Sequence, residues 1–364
     1  MINVLMDHQI FDMQTFGGIS RYFANIYHDL QKDVDYNNEI SVLKTNNYYL
    51  KDDNFSKNPF INYRLKRQKK QLKYNRKYSS QKIAGNNFDI FHPTYYDPYF
   101  LGDLKKPFVL TVHDMIHEIY PEFFAPHDEF ARFKRLTITK ADHIIAISET
   151  TKRDLQQFFP IPDEKITVVY HGVKTIGQQK KQAASLIEMP YILYIGDRFG
   201  YKNFYRMIAA FKEVSRLNKD IRLVCTGSPF NSVESEFLIR TNLLDKIIYI
   251  RATDEELSAL YQHALFYINP SLLEGFGFPI LEAFENNCMV LLSDSDCFHE
   301  IAGDAAVYFD PLSIEDIAHT MLNSIQNKQQ KDTLNTKGNL QLLKFPLEKS
   351  IQETKEVYRK VIQR

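Results

Sequence analysis

Short apolar runs that alternate with helix-patterned stretches leave this 364-residue chain few folds to choose from. Such runs stand at 2–6, 90–92, 108–113, 144–148, 166–170, 191–195, 221–226, 247–251, 265–269 and 289–293, and each reads as one buried strand. Strands of this kind separated by helices are the signature of parallel sheets in an α/β protein. The length exceeds a single typical core, so two domains are expected. The pattern breaks at 174–189, where 174–185 is polar and rich in Gln and Lys and Met189-Pro190 precedes a fresh strand. The boundary is placed there. Two doubly wound domains would leave a cleft at the carboxyl ends of their strands, where such sheets bind ligands. The last stretch, 347–363, has the pattern of an amphipathic helix.

Composition narrows the class. Hydrophobic residues make up 44% and charged residues 25%, ordinary globular usage, and the formal net charge is zero. Zero net charge argues against a general nucleic-acid binder. Cys225, Cys288 and Cys297 form no CxxC pair and no even framework, which fits a reducing cytoplasm. No signal peptide and no run as long as a membrane span is expected, so the chain should be soluble or peripheral at the inner face of a membrane.

The richest local signal is Glu274-Gly275-Phe276-Gly277-Phe278-Pro279-Ile280-Leu281-Glu282. An apolar run precedes it, two glycines allow a tight turn, and Pro279 suits the first position of a helix. Free amides at a helix start attract anions. Carboxylates repel phosphate, so those at the two ends of the loop suit hydroxyl groups instead. The combination describes a pocket for a nucleotide sugar. A plain strand-to-helix turn with two surface glutamates has the same spacing; the intervening Gly-Phe-Gly-Phe-Pro favours the ligand loop. Upstream, Tyr194-Ile195-Gly196-Asp197-Arg198-Phe199-Gly200-Tyr201-Lys202-Asn203 runs from a strand into a loop with two cations. Arg198 and Lys202 suit a diphosphate leaving group, whose developing charge fixed cations can neutralise without reorganising. Two solvated surface residues are the alternative.

Other features leave both readings open. Phe16-Gly17-Gly18-Ile19-Ser20-Arg21 lies between the first strand and first helix, where paired glycines permit close approach of a ligand or simply a flexible loop. His113-Asp114 ends a strand; a core histidine beside a helix-capping aspartate is the favoured bare reading, a sugar contact the other. Asp294-Ser295-Asp296 resembles the metal-holding DxD of another class of sugar transferase and is kept as a minor alternative. Arg64-Leu65-Lys66-Arg67-Gln68-Lys69-Lys70-Gln71-Leu72-Lys73, continuing to Arg76-Lys77, is strongly basic and suits either an anionic membrane surface or a solvated helix face.

Taken with the stretches FGGISRYF from Phe16, TVHD from Thr111, ADHIIAISETTKRDL from Ala141, YHGV from Tyr170 and HEIAGDAAVYFDP from His299, these motifs resemble retaining glycosyltransferases of family four over nearly the whole chain. The resemblance implies the GT-B fold: two Rossmann-like doubly wound parallel-sheet domains, 1–180 for the acceptor and 187–345 for the nucleotide sugar, facing across a cleft, with 346–364 crossing back to the first. It implies that Glu274 holds hydroxyls of the donor sugar and Glu282 the ribose. Arg198 and Lys202 would bind the diphosphate, aided by amides around Gly277, Phe278 and Ile280. His113 would line the reaction site, Gly18 would approach the donor phosphates, and the base would lie near Arg251–Thr253. The family's Gly/Pro turn after the second glutamate is here Glu285-Asn286-Asn287-Cys288-Met289, where Asn287 can take a left-handed backbone. His171 stands where Asn is common.

The implied activity is transfer of a hexose, first mannose from GDP-mannose, to a glycan or lipid-linked acceptor in surface-polysaccharide assembly, with retained configuration and no metal cofactor. UDP- or dTDP-sugar donors are the alternatives, followed by a sugar-nucleotide epimerase or hydrolase and a non-catalytic nucleotide-sugar-binding subunit.

Overall fold

The structure, a computed structural model, describes residues 1–53, 55, 68–126, 128–174 and 183–363. It divides into two units: Met1–His171 with Glu348–Arg364, and Gly172–Leu347. Residues 64–67 of the basic stretch and 175–182 of the polar linker lie outside the described residues.

In the first unit, β1 (Ile2–Met6), β2 (Tyr36–Ile40) and β3 (Ile90–His92) pair in the order β2-β1-β3, all parallel. The strands β4 (Val109–Val112), β5 (His143–Ala146) and β6 (Ile166–Val168) pair in the order β4-β5-β6, also parallel. A parallel bridge between Phe91 and Phe108 joins the two sets, and the Phe91 amide donates to the Pro107 carbonyl at 3.0 Å. Successive side chains of a strand face opposite sides of its sheet. Val4 and Met6 accordingly enter one core with Ile90, Val109 and Ile145, while Leu5 enters another with Phe91, Leu110 and Ile144. Both faces are therefore dry, which is why the strands read as unbroken apolar runs. The first core also receives Tyr22, Phe23 and Ile26 from the helix Gly18–Leu30, and Val357, Tyr358 and Val361 from the helix Leu347–Ile362. Lys355 of that last helix reaches Asp29 at 2.7 Å and Asp33 at 2.9 Å.

In the second unit, β7 (Tyr191–Ile195), β8 (Arg222–Thr226), β9 (Ile247–Tyr249), β10 (Tyr267–Asn269), β11 (Val290–Ser293) and β12 (Ala306–Phe309) form one parallel sheet in the order β12-β11-β10-β7-β8-β9. The chain first builds outward from β7 to β9. It then returns to the other side of β7 and builds outward again to β12. The order reverses between β7 and β10, and in such sheets the crevice at the carboxyl ends beside the reversal is where ligands bind. Ile192, Tyr194, Phe204, Met207, Phe211, Leu223, Ile268 and Leu291 are among the side chains of its core.

The strands are shorter than the apolar runs: 108–113 contracts to Val109–Val112 and 265–269 to Tyr267–Asn269. The expected runs do not include β2 and β12, because only Tyr36 and Ile40 of the first and Phe309 of the second are buried. The chain enters and leaves the second unit at one place. Val173 and Pro346 form a parallel bridge, the Val173 amide donates to Phe345 O at 3.0 Å and the Leu347 amide to Val173 O at 2.9 Å. A Cβ on Gly172 would stand 2.4 Å from the Leu347 Cα, so this approach requires glycine. Among the described residues no helix is long and apolar enough to cross a membrane.

Candidate active site

The loops that follow β7 and β10 flank the reversal of strand order, and they carry the charged residues singled out in the sequence. After β7, Gly200–Lys202 forms a single 3-10 turn closed by Asn203 in the left-handed conformation (φ 57°), and the helix Phe204–Leu217 follows. After β10, the loop runs through Glu274 to Gly277, whose φ of 85° and ψ of 52° precede the helix Phe278–Glu285. Pro279 is thus the second residue of that helix rather than its first. The Leu272 amide donates to Tyr201 O at 2.8 Å and ties the two loops together.

Across this junction the Lys202 ammonium donates to Glu274 Oε1 at 2.7 Å. Ser271 Oγ donates to the same carboxylate oxygen at 2.7 Å, and Asn269 at the end of β10 lies 2.7 Å from Ser271 Oγ. Burial works against the Lys202 charge, but the Glu274 carboxylate beside it holds the ammonium above its ordinary range. Lys202 therefore stays charged at neutral pH.

Glu282, on the helix Phe278–Glu285, accepts from the Tyr261 hydroxyl at 3.2 Å, and that hydroxyl also lies 3.1 Å from Pro279 O. The Ile280 amide is already engaged, donating to Gly277 O at 2.9 Å. Gly275 opens the turn, and Phe276 is buried against Phe345, with ring centroids 5.7 Å apart. The ring of Phe278 lies 6.2 Å from that of Phe276. Arg251 is exposed just beyond β9, and Thr253 caps the helix Asp254–His263 in a reciprocal capping box with Glu256.

Arg198 differs from Lys202. Its Nε donates to Glu234 Oε1 at 2.9 Å and its Nη2 to Ser228 O at 2.6 Å and Pro229 O at 3.0 Å. Only 2% of its side chain is exposed, and its guanidinium lies 4.5 Å from the Phe230 ring centroid.

Gly18 and His113 belong to the first unit. Gly18 opens the helix Gly18–Leu30, and a Cβ built on it would meet nothing within 4 Å, so the protein's own packing leaves that side open. His113 follows β4, and its amide donates to the Tyr96 hydroxyl at 3.1 Å. Its ring packs among Tyr22, Phe23 and His171, the last nearly parallel at 5.9 Å, and neither ring nitrogen has a hydrogen-bond partner among the described residues. Burial, with a smaller contribution from Lys134, pulls His113 down to about 4 against the opposing Asp114 carboxylate, so the imidazole is neutral at pH 7. Asp294 accepts from His299 Nε2 at 2.6 Å, and Ser295-Asp296 opens a short helix.

Glu234, Ser271 and Tyr261 were not legible as partners of these groups. Glu234 and Tyr261 lie on other elements, and only the fold brings them in; Ser271 sits three residues before Glu274 in the same loop, with nothing in its local pattern to mark it. His171 had a signal, its place in Tyr170-His171-Gly172, but no role could be attached to it until its ring was seen against His113.

A parallel sheet whose order reverses beside two charged, glycine-bearing loops defines a doubly wound α/β unit of the type found in GT-B glycosyltransferases. Comparison with known proteins identifies the family. Residues 16–175 match the model of Glycosyltransferase Family 4, and residues 177–340 that of Glycosyl transferases group 1. The O-antigen chain mannosyltransferase RfbU of Salmonella typhimurium is 29% identical over 204 residues, a match that spans 56% of this chain and 56% of RfbU. The O-antigen chain mannosyltransferase B of Escherichia coli is 25% identical, with 74% of each chain covered. Among solved structures, Anabaena Alr3699/HepE in complex with UDP-glucose superposes with a TM-score of 0.74 at 13% identity, covering 99% of this chain and 100% of that one. The chain belongs to the glycosyltransferases of family 4 and group 1 and has their GT-B fold.

Proposed function

We propose that this chain transfers a hexose, mannose from GDP-mannose in the first instance, from a nucleoside-diphosphate sugar to a glycan or lipid-linked acceptor of a surface polysaccharide, with retention of anomeric configuration. The observation that carries this reading is the Lys202–Glu274 pair at the reversal of strand order. Without ligand each charge answers the other. A donor brings a diphosphate and sugar hydroxyls side by side and supplies each charge with a partner of its own. Lys202 then faces the charge that develops on the leaving diphosphate, and Glu274 accepts from sugar hydroxyls. Glu282 takes the ribose hydroxyls, aided by Tyr261; in the first unit taken by itself, the open side of Gly18 leaves room for a phosphate group. The neutral imidazole of His113, both of whose nitrogens lack a hydrogen-bond partner among the described residues, is suited to a sugar hydroxyl.

The acceptor oxygen attacks the anomeric carbon as the bond to the diphosphate oxygen breaks, on the same face. The acceptor's proton passes to that departing oxygen. The cationic side chain takes the part a divalent metal plays elsewhere, so no metal is required. Mannose is supported by the names of the curated relatives, O-antigen chain mannosyltransferases. Attachment to an anionic membrane surface is supported by the helix Gln68–Gly85, where Lys69, Lys70, Lys73 and Lys77 are exposed together with Leu72 and Tyr74.

A thermal-shift screen across GDP-, UDP- and dTDP-sugars tests the donor, since ligand binding raises apparent stability. GDP-mannose should give the largest rise. Lys202→Ala and Glu274→Ala should each lower transfer by about 100-fold or more. Near-wild-type turnover in both variants refutes the assignment, and a larger shift with a UDP- or dTDP-sugar moves it to that donor.

A further inference from the structure

The loop after β7 carries two cations, and the structure treats them oppositely. Lys202 turns to the β10 side, where it bonds a partly exposed carboxylate: the side chains of Lys202 and Glu274 are 21% and 14% exposed. Arg198 turns to the β8 side and is enclosed. Its Nε and Nη2 both reach Glu234, at 2.9 Å and 3.2 Å, and Nη2 also reaches the carbonyls of Ser228 and Pro229. Its guanidinium lies against Phe230, and Nη1 is buried with no hydrogen-bond partner among the described residues. Glu234 is equally committed, since its Oε2 also accepts from the Asn231 amide and completes the capping box of the helix Ser232–Arg240. A further bond fastens the same seam: Ser228 Oγ donates to Asp197 Oδ1 at 3.0 Å.

A diphosphate ligand needs a cation it can reach, with a counter-ion it can displace. Arg198 offers neither, because its charge is balanced by Glu234 and its remaining nitrogen is closed off from solvent. We propose that Arg198 is a positioning residue and not a diphosphate contact: with Glu234 as its counter-ion it braces the β7 loop against the β8 loop, and so holds Lys202 where the diphosphate arrives. This inference rests on the reading of Lys202 as the diphosphate cation given above. It assigns Glu234, which the sequence did not single out, to the donor site as the second half of the brace.

The test exploits the asymmetry between breaking and replacing a buried ion pair. Removing one partner strands a buried charge, whereas replacing both by neutral groups of similar volume is often tolerated. The variants are Glu234→Gln, which keeps an oxygen for the Asn231 amide, Arg198→Met, and the two combined. The readouts are melting temperature and the affinity for GDP and UDP. Each single variant should melt below the double variant, and each should weaken nucleotide affinity, with donor KM rising and acceptor KM unchanged. The double variant should bind GDP or UDP within about tenfold of wild type. In a Lys202→Ala background the single variants should cost no further affinity.

If Arg198 touches phosphate, the signs change. Glu234→Gln would free the guanidinium and hold or tighten nucleotide affinity, and the double variant would stay folded yet lose more than tenfold. Either result overturns the proposal, as does a double variant that melts below both singles. Failure of the donor reading shows separately, as a wild-type protein that binds neither GDP nor UDP, while the melting cycle still reports on the brace.

Discussion

Gly277 is the residue on which the donor loop turns. Its left-handed backbone lets the chain leave β10, pass Glu274 and enter the helix Phe278–Glu285 within a few residues. An L-side chain in that conformation costs on the order of 1–2 kcal/mol. Its Cβ would also stand 2.8 Å from Ile280 Cδ1 and 3.2 Å from the Phe298 ring. Gly277→Ala should therefore lower the melting temperature and, by shifting the turn, weaken donor binding in a nucleotide titration; unchanged values for both would show that the turn tolerates a side chain. At this scale the sequence showed the charged side chains but not their partners. Lys202 and Glu274 stood out because their motifs are local. The balancing of Arg198 by Glu234 joins residues 36 apart, one on a loop and one in the first turn of a helix, and the Tyr261 bond to Glu282 spans 21. No local pattern records such pairings.

The helix Gln68–Gly85 meets its unit through polar side chains. Gln71 and Asn75 both donate to Asp12 Oδ1, at 2.9 Å and 2.8 Å, and Ser79 bonds His8 and Ser41. Those positions recur every fourth residue and form one face, while Arg76 is paired with Asp97 at 2.7 Å. Lys69, Lys70, Lys73 and Lys77 are exposed and have no ion-pair partner among the described residues. Reversing these four to glutamate should abolish low-salt co-sedimentation with anionic vesicles, at about 1 kcal/mol per residue before reversal, and leave the result with zwitterionic vesicles unchanged. A wild-type protein that ignores anionic vesicles at low salt would rule out the membrane reading. The largely polar inner face also explains what sequence reading missed here: the charge was visible, but Gln71, Asn75 and Ser79 precede the buried Ile83 on that face, too little apolar surface to set a hydrophobic period. The same logic separates the strands that were legible from those that were not. β4, β5 and β11 are buried along their whole length, whereas β2 offers Asn37, Asn38 and Glu39 between its two buried ends.

Across the molecule, acid should act first through the first unit. His92, His113 and His171 are buried in it, and burial is the leading reason that His92 is held down to about 3, His113 to about 4 and His171 well below its ordinary range. Between pH 6.5 and about 4 the unfolded chain binds protons at these rings that the folded chain does not, so stability rises with pH in that window and is lost as pH falls through it. For His113 alone the full loss is about 3 kcal/mol. Melting temperatures should drop steadily from pH 6.5 to 4.5, and His113→Gln should flatten the fall; a flat profile in the wild type would place the rings in contact with solvent. The paired crossings at Val173 and Pro346 have a consequence of another kind. Because the polypeptide departs and returns through neighbouring residues, Gly172–Leu347 is topologically an insertion whose ends already meet. The gene for this segment can be excised or circularly permuted at those ends without stretching either product, as for other modules spliced into a host sequence.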